Sequence, residues 1–208
     1  MNNNECNNNR IERLQKSLEL CSKGEEIFQY IKYDDVDGVK LYIDQVNTKT
    51  SGFDETPLHV CLEQETTNLE ILKLLLDNGA NVNSVNSEAE GEYTPLHKYF
   101  MHCLQLNIDV INLLMDRGLD LTMRDEFGST AFVKLIERDD SHKYIKLIMY
   151  MIEKGCDPYI LDNVENNIAH NYLMTNSHPD MINFLKKDLK IDFEQKNLYG
   201  MTPLYFIK

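Results

Sequence analysis

The sequence lacks the short motifs that mark the common classes of enzyme and membrane protein. Among its five cysteines there is no Cys-x-x-Cys pair, so neither a zinc knuckle nor a disulfide framework is indicated, and reduced thiols in the cytoplasm or nucleus fit best. A Gly-x-Ser-x-Gly elbow, a Walker-type loop and a Gly-x-Gly-x-x-Gly fingerprint are also missing. The longest uncharged apolar run, Leu147–Ile152, has six residues, whereas a membrane helix needs roughly 20. We therefore predict a soluble protein that is not an enzyme.

Basic side chains are also scarce. Lysine and arginine number 21 against 34 aspartates and glutamates, and the formal net charge is −13. Phosphate backbones and anionic lipids repel such a chain, which argues against nucleic acid and membrane surfaces as partners. A protein surface that carries basic residues is the better electrostatic match. The N-terminal residues have no basic region followed by an apolar one, so no signal peptide is predicted.

A four-residue phrase recurs along the chain. Thr-Pro-Leu-His occurs at Thr56–His59 and at Thr94–His97, and related phrases begin at Thr130, Asn167 and Thr202. The steps between these starting positions are 38, 36, 37 and 35 residues. A nearly fixed period of this size predicts a solenoid of stacked repeats.

Each phrase opens a pair of helices. In the clearest unit, Thr56 can cap the first helix, and Pro57 occupies its first position, where the missing N–H costs nothing. A strongly apolar second helix follows at 69–77, and Gly79 ends it. In the fifth unit Asp188 replaces the terminal glycine, which predicts a less regular helix end.

The two ends of the array depart from this pattern. Residues 1–9 are rich in asparagine and are predicted to be disordered, and residues 10–24 are predicted to form a capping helix, with partner binding as the alternative for that helix. The repeat array is predicted over 25–208, and it ends part-way through a repeat. The predicted fold is an all-α solenoid of about four full repeats, with a degenerate first repeat and a truncated last one.

These motifs resemble ankyrin repeats. The resemblance covers roughly residues 25–208 and includes both Thr-Pro-Leu-His phrases, Leu75–Asn83 and Met115–Leu121. The steps of 35–38 residues exceed the 33 of common ankyrin repeats, and together with bulky first helices such as 95–104 they make the chain similar to poxvirus ankyrin-repeat proteins. That similarity implies a host-range or immune-evasion factor in the infected cell. Many such proteins carry a C-terminal F-box-like segment that docks onto a cullin-type ubiquitin ligase, and this segment is absent from the sequence.

The histidines and carboxylates are predicted to be structural or solvated. His59, His97 and His170 share the fourth position of the phrase, and neighbouring helices lie about 10 Å apart, too far for two imidazoles to share a zinc ion at about 2 Å each. The carboxylates cluster in polar breaks, where solvation opposes the splitting of pKa values that an acid–base pair needs. We predict no catalytic residue, no cofactor and no metal.

Recognition remains as the function. In a stack of this kind, the loops between repeats and the exposed side of each first helix form a concave face. An aromatic ring beside carboxylates suits a partner with apolar pockets rimmed by lysine or arginine; the alternative is that these rings pack between loops as part of the repeat. The candidate partner-binding residues are Phe53, Asp54, Glu55, Glu90, Glu92, Tyr93, Lys98, His102, Asp125, Glu126, Phe127 and Tyr199.

Three functions stay open from the sequence. The first is a monomeric protein-binding module that sequesters a host protein in the cytoplasm, or in the nucleus, of the infected cell. The second is the substrate-selecting part of a ubiquitin-ligase adaptor that lacks its docking segment. The third is an inert remnant of a larger protein.

Overall fold

The expected all-α solenoid is the fold of the chain. The computed structural model describes residues 3–138 and 140–207, and for residues 3–9 the backbone alone. Within this part of the chain the β-pairing consists of one isolated bridge, Arg124–Thr130. The helices are α1 (Asn3–Leu20), α2 (Glu26–Lys32), α3 (Val36–Leu41), α4 (Pro57–Leu62), α5 (Leu69–Asp77), α6 (Pro95–His102), α7 (Ile108–Met115), α8 (Ala131–Glu137), α9 (Ile145–Glu153), α10 (Ile168–Thr175) and α11 (Pro179–Asn183). Single 3-10 turns occupy Ile43–Gln45, Glu88–Glu90, Ser141–Tyr144 and Pro203–Phe206.

The helices form two layers. The first helices of successive repeats, α2, α4, α6, α8 and α10, pack side by side in chain order, and the turn Pro203–Phe206 continues the row. The second helices α3, α5 and α7 contact one another in the same order. Between the layers lie fully buried side chains such as Leu72, Tyr99, Phe132 and Tyr172. Burial of one such side chain stabilises the fold by about 1.5–3 kcal/mol. Because adjacent repeats provide much of this burial, each repeat is stabilised mainly by its neighbours.

The recurring phrase forms a reciprocal helix cap. In α6 the Thr94 hydroxyl accepts from the backbone N–H of His97 at 3.4 Å, and Nδ1 of His97 accepts from the backbone N–H of Thr94 at 3.2 Å. Thr56 with His59, and Asn167 with His170, close the same box at α4 and α10. Histidine here takes the part that glutamate or glutamine has in the usual capping box, which satisfies two otherwise orphaned N–H groups.

Five short hairpin loops connect the repeats, and we call them fingers 1–5. They are residues 50–55, 86–93, 125–129, 162–166 and 197–201, and in each of them the first residue's N–H donates to the last residue's carbonyl. Asp125, Asp162 and Asn197 fold their fingers by accepting two further backbone N–H groups on one side-chain oxygen. The residue two positions before each phrase has positive φ: Asp54, Glu92, Gly128, Glu165 and Gly200.

The fingers are also joined to one another. One backbone hydrogen bond of 2.9–3.1 Å runs from each finger to the one before it: Ser87 to Phe53, Glu126 to Gly91, Asn163 to Phe127, and Leu198 to Val164. Because the donors and acceptors stand at nearly the same place in every finger, the fingers are stacked in register. Residues at one finger position therefore line up along the array.

The start of the chain differs from the sequence prediction, whereas the fifth repeat has the less regular helix end that Asp188 predicted. Helix α1 contacts α2 and runs through residues 3–9, which were expected to be disordered, while Met1 and Asn2 lie outside the described residues. Asparagine is only a moderately poor helix former, and adding residues to an existing helix costs far less than starting one. In the fifth repeat α11 passes into a π-helical turn at Phe184–Asp188, and Lys190 takes the positive φ that glycine adopts elsewhere.

Candidate functional site

The fingers and the first helices share one side of the molecule, which we call the inner face. It consists of fingers 1–5 and the exposed sides of α4, α6, α8 and α10. An open cleft between fingers 3 and 4 shows that these elements meet, because Glu126 and Asn163 line it together with Lys134 and Met174 of the helices. All twelve candidate residues belong to these fingers or to α6.

The phrase histidines connect each repeat to the next finger. Nε2 of His59 pairs with the carbonyl of Tyr93 at 3.0 Å, His97 with Ser129 at 3.2 Å, and His170 with Met201 at 3.0 Å. With Nδ1 in the cap and Nε2 on a carbonyl, the neutral ring carries its proton on Nε2 and has no free nitrogen. Burial lowers the pKa of His59 and of His97 to about 4, so both are neutral at physiological pH. Their role is structural.

Lys98 of α6 lies among three carboxylates on the inner face. Its Nζ is 2.6 Å from Glu55, 3.5 Å from Glu90 and 3.7 Å from Glu63. Burial lowers the pKa of Lys98, but the hydrogen bond that it donates to Glu55 and the three negative charges raise the pKa by more, so the lysine stays charged. Burial and the charge of Glu55 raise the pKa of Glu63. This Lys98 cluster ties fingers 1 and 2 to helix α6 and to Glu63, the residue that ends α4.

Lys134 of α8 holds the equivalent place one repeat later. Its Nζ lies 3.0 Å from Asp125 and 3.4 Å from Glu137, and it stands 5.8 Å from the ring centroid of Tyr93 and 5.9 Å from that of Phe127. Burial raises the pKa of Glu137 more than Lys134 lowers it. The Lys134 cluster thus surrounds one ammonium with carboxylates and aromatic faces, a combination that attracts cations.

Three finger aromatics remain open to solvent on this face. Phe53 is 49% exposed, Phe127 54% and Tyr199 68%. Each stands three positions before the phrase of its repeat, and the register of the fingers aligns them. Glu126, which precedes Phe127, is exposed and in no ion pair of the described residues. Phe127 is thus an aromatic ring beside an exposed carboxylate, and its part in partner binding stays a prediction.

Other candidate residues are committed to the fold. Asp125 is not available to a partner, because its fully buried carboxylate folds finger 3 and pairs with Lys134. Lys98 is buried in its cluster, and Glu55 and Glu90 face it. Four candidates remain. Tyr93 packs against His97 with ring centroids 5.8 Å apart, and Asp54 pairs with Lys49 at 3.2 Å. Glu92 lies in the positive-φ turn of finger 2, and His102 is exposed at the end of α6.

Four residues of this face were not predicted from the sequence. They are Glu63, Lys134, Glu137 and Met174, which belong to the first helices or to their ends, whereas most of the predicted residues lie in the loops. A signal was present in the sequence, because Lys98 and Lys134 each directly follow a four-residue phrase and lie 36 residues apart. A charged residue recurring at one register position of a stacked helix faces the same surroundings in each repeat, here the fingers.

Two buried thiols are unreactive at neutral pH, and the described residues contain no metal-binding cluster. Burial raises the pKa of the thiols of Cys61 and Cys156 to about 12, so neither is a nucleophile at neutral pH. Among the side chains that the structure describes, in 10–138 and 140–207, no three histidine, cysteine, aspartate or glutamate residues converge in a way that could hold a metal ion. Among the helices of the same ranges, none combines the length and the apolar character that crossing a bilayer requires.

Comparison with known families and proteins agrees with this geometry. Residues 27–125 match the sequence profile of the family described as ankyrin repeats, in three copies. An ankyrin repeat protein of vaccinia virus, OPG189, is 28% identical over 150 residues, which cover 72% of this chain and 24% of the viral protein. The ANK repeat-containing protein nipk-1 of Caenorhabditis elegans is 27% identical over 151 residues, or 69% of this chain and 24% of that protein.

A third relative comes from another large virus. A putative ankyrin repeat protein of Acanthamoeba polyphaga mimivirus is 25% identical over 99 residues, or 48% of this chain and 58% of the mimivirus protein. The vaccinia and nematode relatives are much longer than this chain, which matches about a quarter of their length.

Proposed function

Because the chain is an ankyrin-repeat protein, we propose that its inner face binds a protein of the host cell and that the chain acts as a viral host-range or immune-evasion factor. Ankyrin repeats are protein–protein interaction modules. The finer proposal concerns the partner, which is a host protein with a basic surface, and the consequence, which is sequestration of that protein in the cytoplasm or nucleus.

One observation carries the proposal: the solvent-exposed aromatics Phe53, Phe127 and Tyr199 stand at one finger position on a surface otherwise rich in carboxylates. Exposed aromatic rings add little to the stability of the isolated chain, and such rings are typical of binding hot spots. The net charge of −13 favours a basic partner through steering of the encounter. The viral setting is supported by the vaccinia and mimivirus relatives and by the steps of 35–38 residues.

Site-specific photo-cross-linking tests the proposal directly. A benzophenone amino acid is placed at Phe53, Phe127 or Tyr199, and in a control variant at Met149, which is 40% exposed on the second helix α9. The proteins are expressed in host cells and irradiated, and the adducts are identified by mass spectrometry. We expect one host protein, or a small set, to be captured from the three finger positions and not from position 149.

Capture that is equal at the finger positions and at position 149 would contradict the inner face as the binding surface. Capture of no host protein at any position, despite correct folding, would count for an inert chain instead.

A further inference from the structure

The cleft between fingers 3 and 4 has the character of a side-chain receptor. Its volume is about 320 Å³, and it is open to the inner face. The apolar part of its lining comes from Val164, Phe127 and Met174, and the last two are 54% and 39% exposed. Both side chains are therefore free to gain contacts with an occupant, and burial of apolar surface would favour its binding.

The polar lining of this cleft carries an excess of negative charge. Glu126, Glu137 and Asp162 line it together with a single basic residue, Lys134. Lys134 is already paired with Glu137 and with the buried Asp125. Glu126 has no such neighbour among the ion pairs of the described residues, and its side chain is exposed. The lining thus has three carboxylates against one ammonium group, and this charge complementarity points to a cationic occupant.

Asn171 supplies a second, independent polar group to the cleft. It lines the cleft from α10 and is 7% exposed, and its side-chain amide, which is not fully enclosed, makes no hydrogen bond to the described residues. The oxygen and the NH₂ group of this amide can therefore pair with an occupant of the cleft. Asn171 directly follows the phrase of its repeat, at the position where the two preceding repeats have Lys98 and Lys134. The fifth repeat therefore has a neutral, unpaired amide where its predecessors hold an ammonium ion among carboxylates.

We propose that this cleft binds an arginine side chain of the partner protein. The guanidinium lies between Glu126 and the oxygen of Asn171, and the stem and flat face of the side chain pack on Phe127 and Met174. Arginine suits the site better than lysine because its planar, weakly hydrated head donates several hydrogen bonds while stacking on an aromatic ring. The inference rests on the proposed function, and it adds the chemical group that the partner presents.

Nuclear magnetic resonance titration of the full chain with small probes tests the proposal. The probes are N-acetyl-arginine methylamide and its citrulline analogue, which has nearly the same shape and no charge. The reporters are the side-chain amide of Asn171 and the methyl group of Met174. We expect both signals to shift saturably with the arginine probe and to need about tenfold more of the citrulline probe.

Variants locate the response. Glu126→Gln removes the exposed carboxylate of the cleft and should weaken binding of the arginine probe by about threefold, as expected for one exposed ion pair. Glu165→Gln is the matched control, because Glu165 is an exposed carboxylate of finger 4 that does not line the cleft. It should leave the titration unchanged.

Three results would overturn the proposal: no saturable shift at either reporter, equal responses to arginine and citrulline, or equal effects of Glu126→Gln and Glu165→Gln. The photo-cross-linking experiment keeps this outcome separate from the proposed function. Host proteins captured from the finger positions, combined with an unresponsive cleft, would refute the arginine site alone. A responsive cleft combined with capture only from position 149 would refute the inner face as the surface for host proteins.

Discussion

At the scale of single residues, the phrase histidines show how a polar ring becomes part of a core. His59 and His97 are fully buried, and each bonds with one nitrogen to its own helix cap and with the other to the next finger. Because both nitrogens are committed, a second proton would break one of the two bonds. Stability should therefore depend on pH.

The first prediction concerns this dependence. The pKa of His59 is about 4 in the fold and 6.5 without it, so below pH 6.5 the unfolded chain takes up a proton that the native chain refuses. The free energy of unfolding should fall as the pH decreases from 6.5 towards 4 and then level off. Between pH 7 and pH 5 this histidine should account for a loss of roughly 2 kcal/mol.

Urea unfolding of the wild type and of His59→Gln at both pH values measures this loss. The raised pKa values of Glu63 and Glu137 act in the opposite direction, so the comparison with the variant is what isolates the histidine. The wild type should lose more stability than the variant on going to pH 5. Equal losses would mean that His59 is not held neutral by the fold.

The second prediction concerns Lys98, whose side chain is 7% exposed among Glu55, Glu63 and Glu90. Lys98→Met leaves these carboxylates with no counter-charge, and breaking a buried pair in this way costs about 3 kcal/mol or more. Lys49→Met is the control, because Lys49 and Asp54 form a pair with side chains 47% and 53% exposed, which is worth about 1 kcal/mol at most. Thermal and urea unfolding compare the two variants. Similar losses would show that the Lys98 cluster behaves as an ordinary surface ion pair.

At the scale of elements, the fingers are the part of the fold that depends most on close approach. Gly128 of finger 3 has φ 83°, and a Cβ added there would lie 2.3 Å from the side-chain oxygen of Asn163 and 2.8 Å from its backbone nitrogen. The same Asn163 joins fingers 3 and 4 through its N–H to Phe127 and its amide to Glu126. Glycine is thus needed at this position for the neighbour as well as for the turn.

The third prediction separates these two requirements. Gly79 also has φ 83°, but a Cβ there would meet no atom within 4 Å. Gly79→Ala should therefore cost only the backbone strain of about 1–2 kcal/mol, whereas Gly128→Ala should add about 1–3 kcal/mol for the clash with finger 4. Urea unfolding gives both values. Equal costs would indicate that adjacent fingers have room to separate.

The sequence predicted the elements better than it predicted the inner face, and the reason is physical. Thr94, Pro95 and the glycines after the second helices act locally, so a short window of residues contains their whole effect. The environment of Lys98 is assembled from Glu63, which lies 35 residues earlier in the chain, and it exists only after the repeats stack. Asp125 was expected to be exposed because it is acidic and lies in a loop, but its carboxylate is used to fold that loop.

At the scale of the whole molecule, stacking converts a repeated phrase into a continuous surface. The row of first helices and the hydrogen bonds between fingers hold Phe53, Phe127 and Tyr199 at corresponding positions over several repeats. A partner can therefore contact several fingers at once without any single site being strong. The residues suited to a test by charge reversal are those with no internal partner, which excludes Glu90 because it faces Lys98.

The most direct test of the inner face as the recognition surface is one pair of affinities. They are measured by calorimetry between the host protein cross-linked at position 127 and two variants of equal net charge, Glu126→Lys and Glu153→Lys. Glu126 is exposed on finger 3, and Glu153 is exposed at the end of the second helix α9. We predict that Glu126→Lys weakens binding by about tenfold or more while Glu153→Lys changes it by less than about twofold, with both melting temperatures close to that of the wild type. Equal weakening by the two variants would contradict the account, because binding would then follow the overall charge and not the inner face.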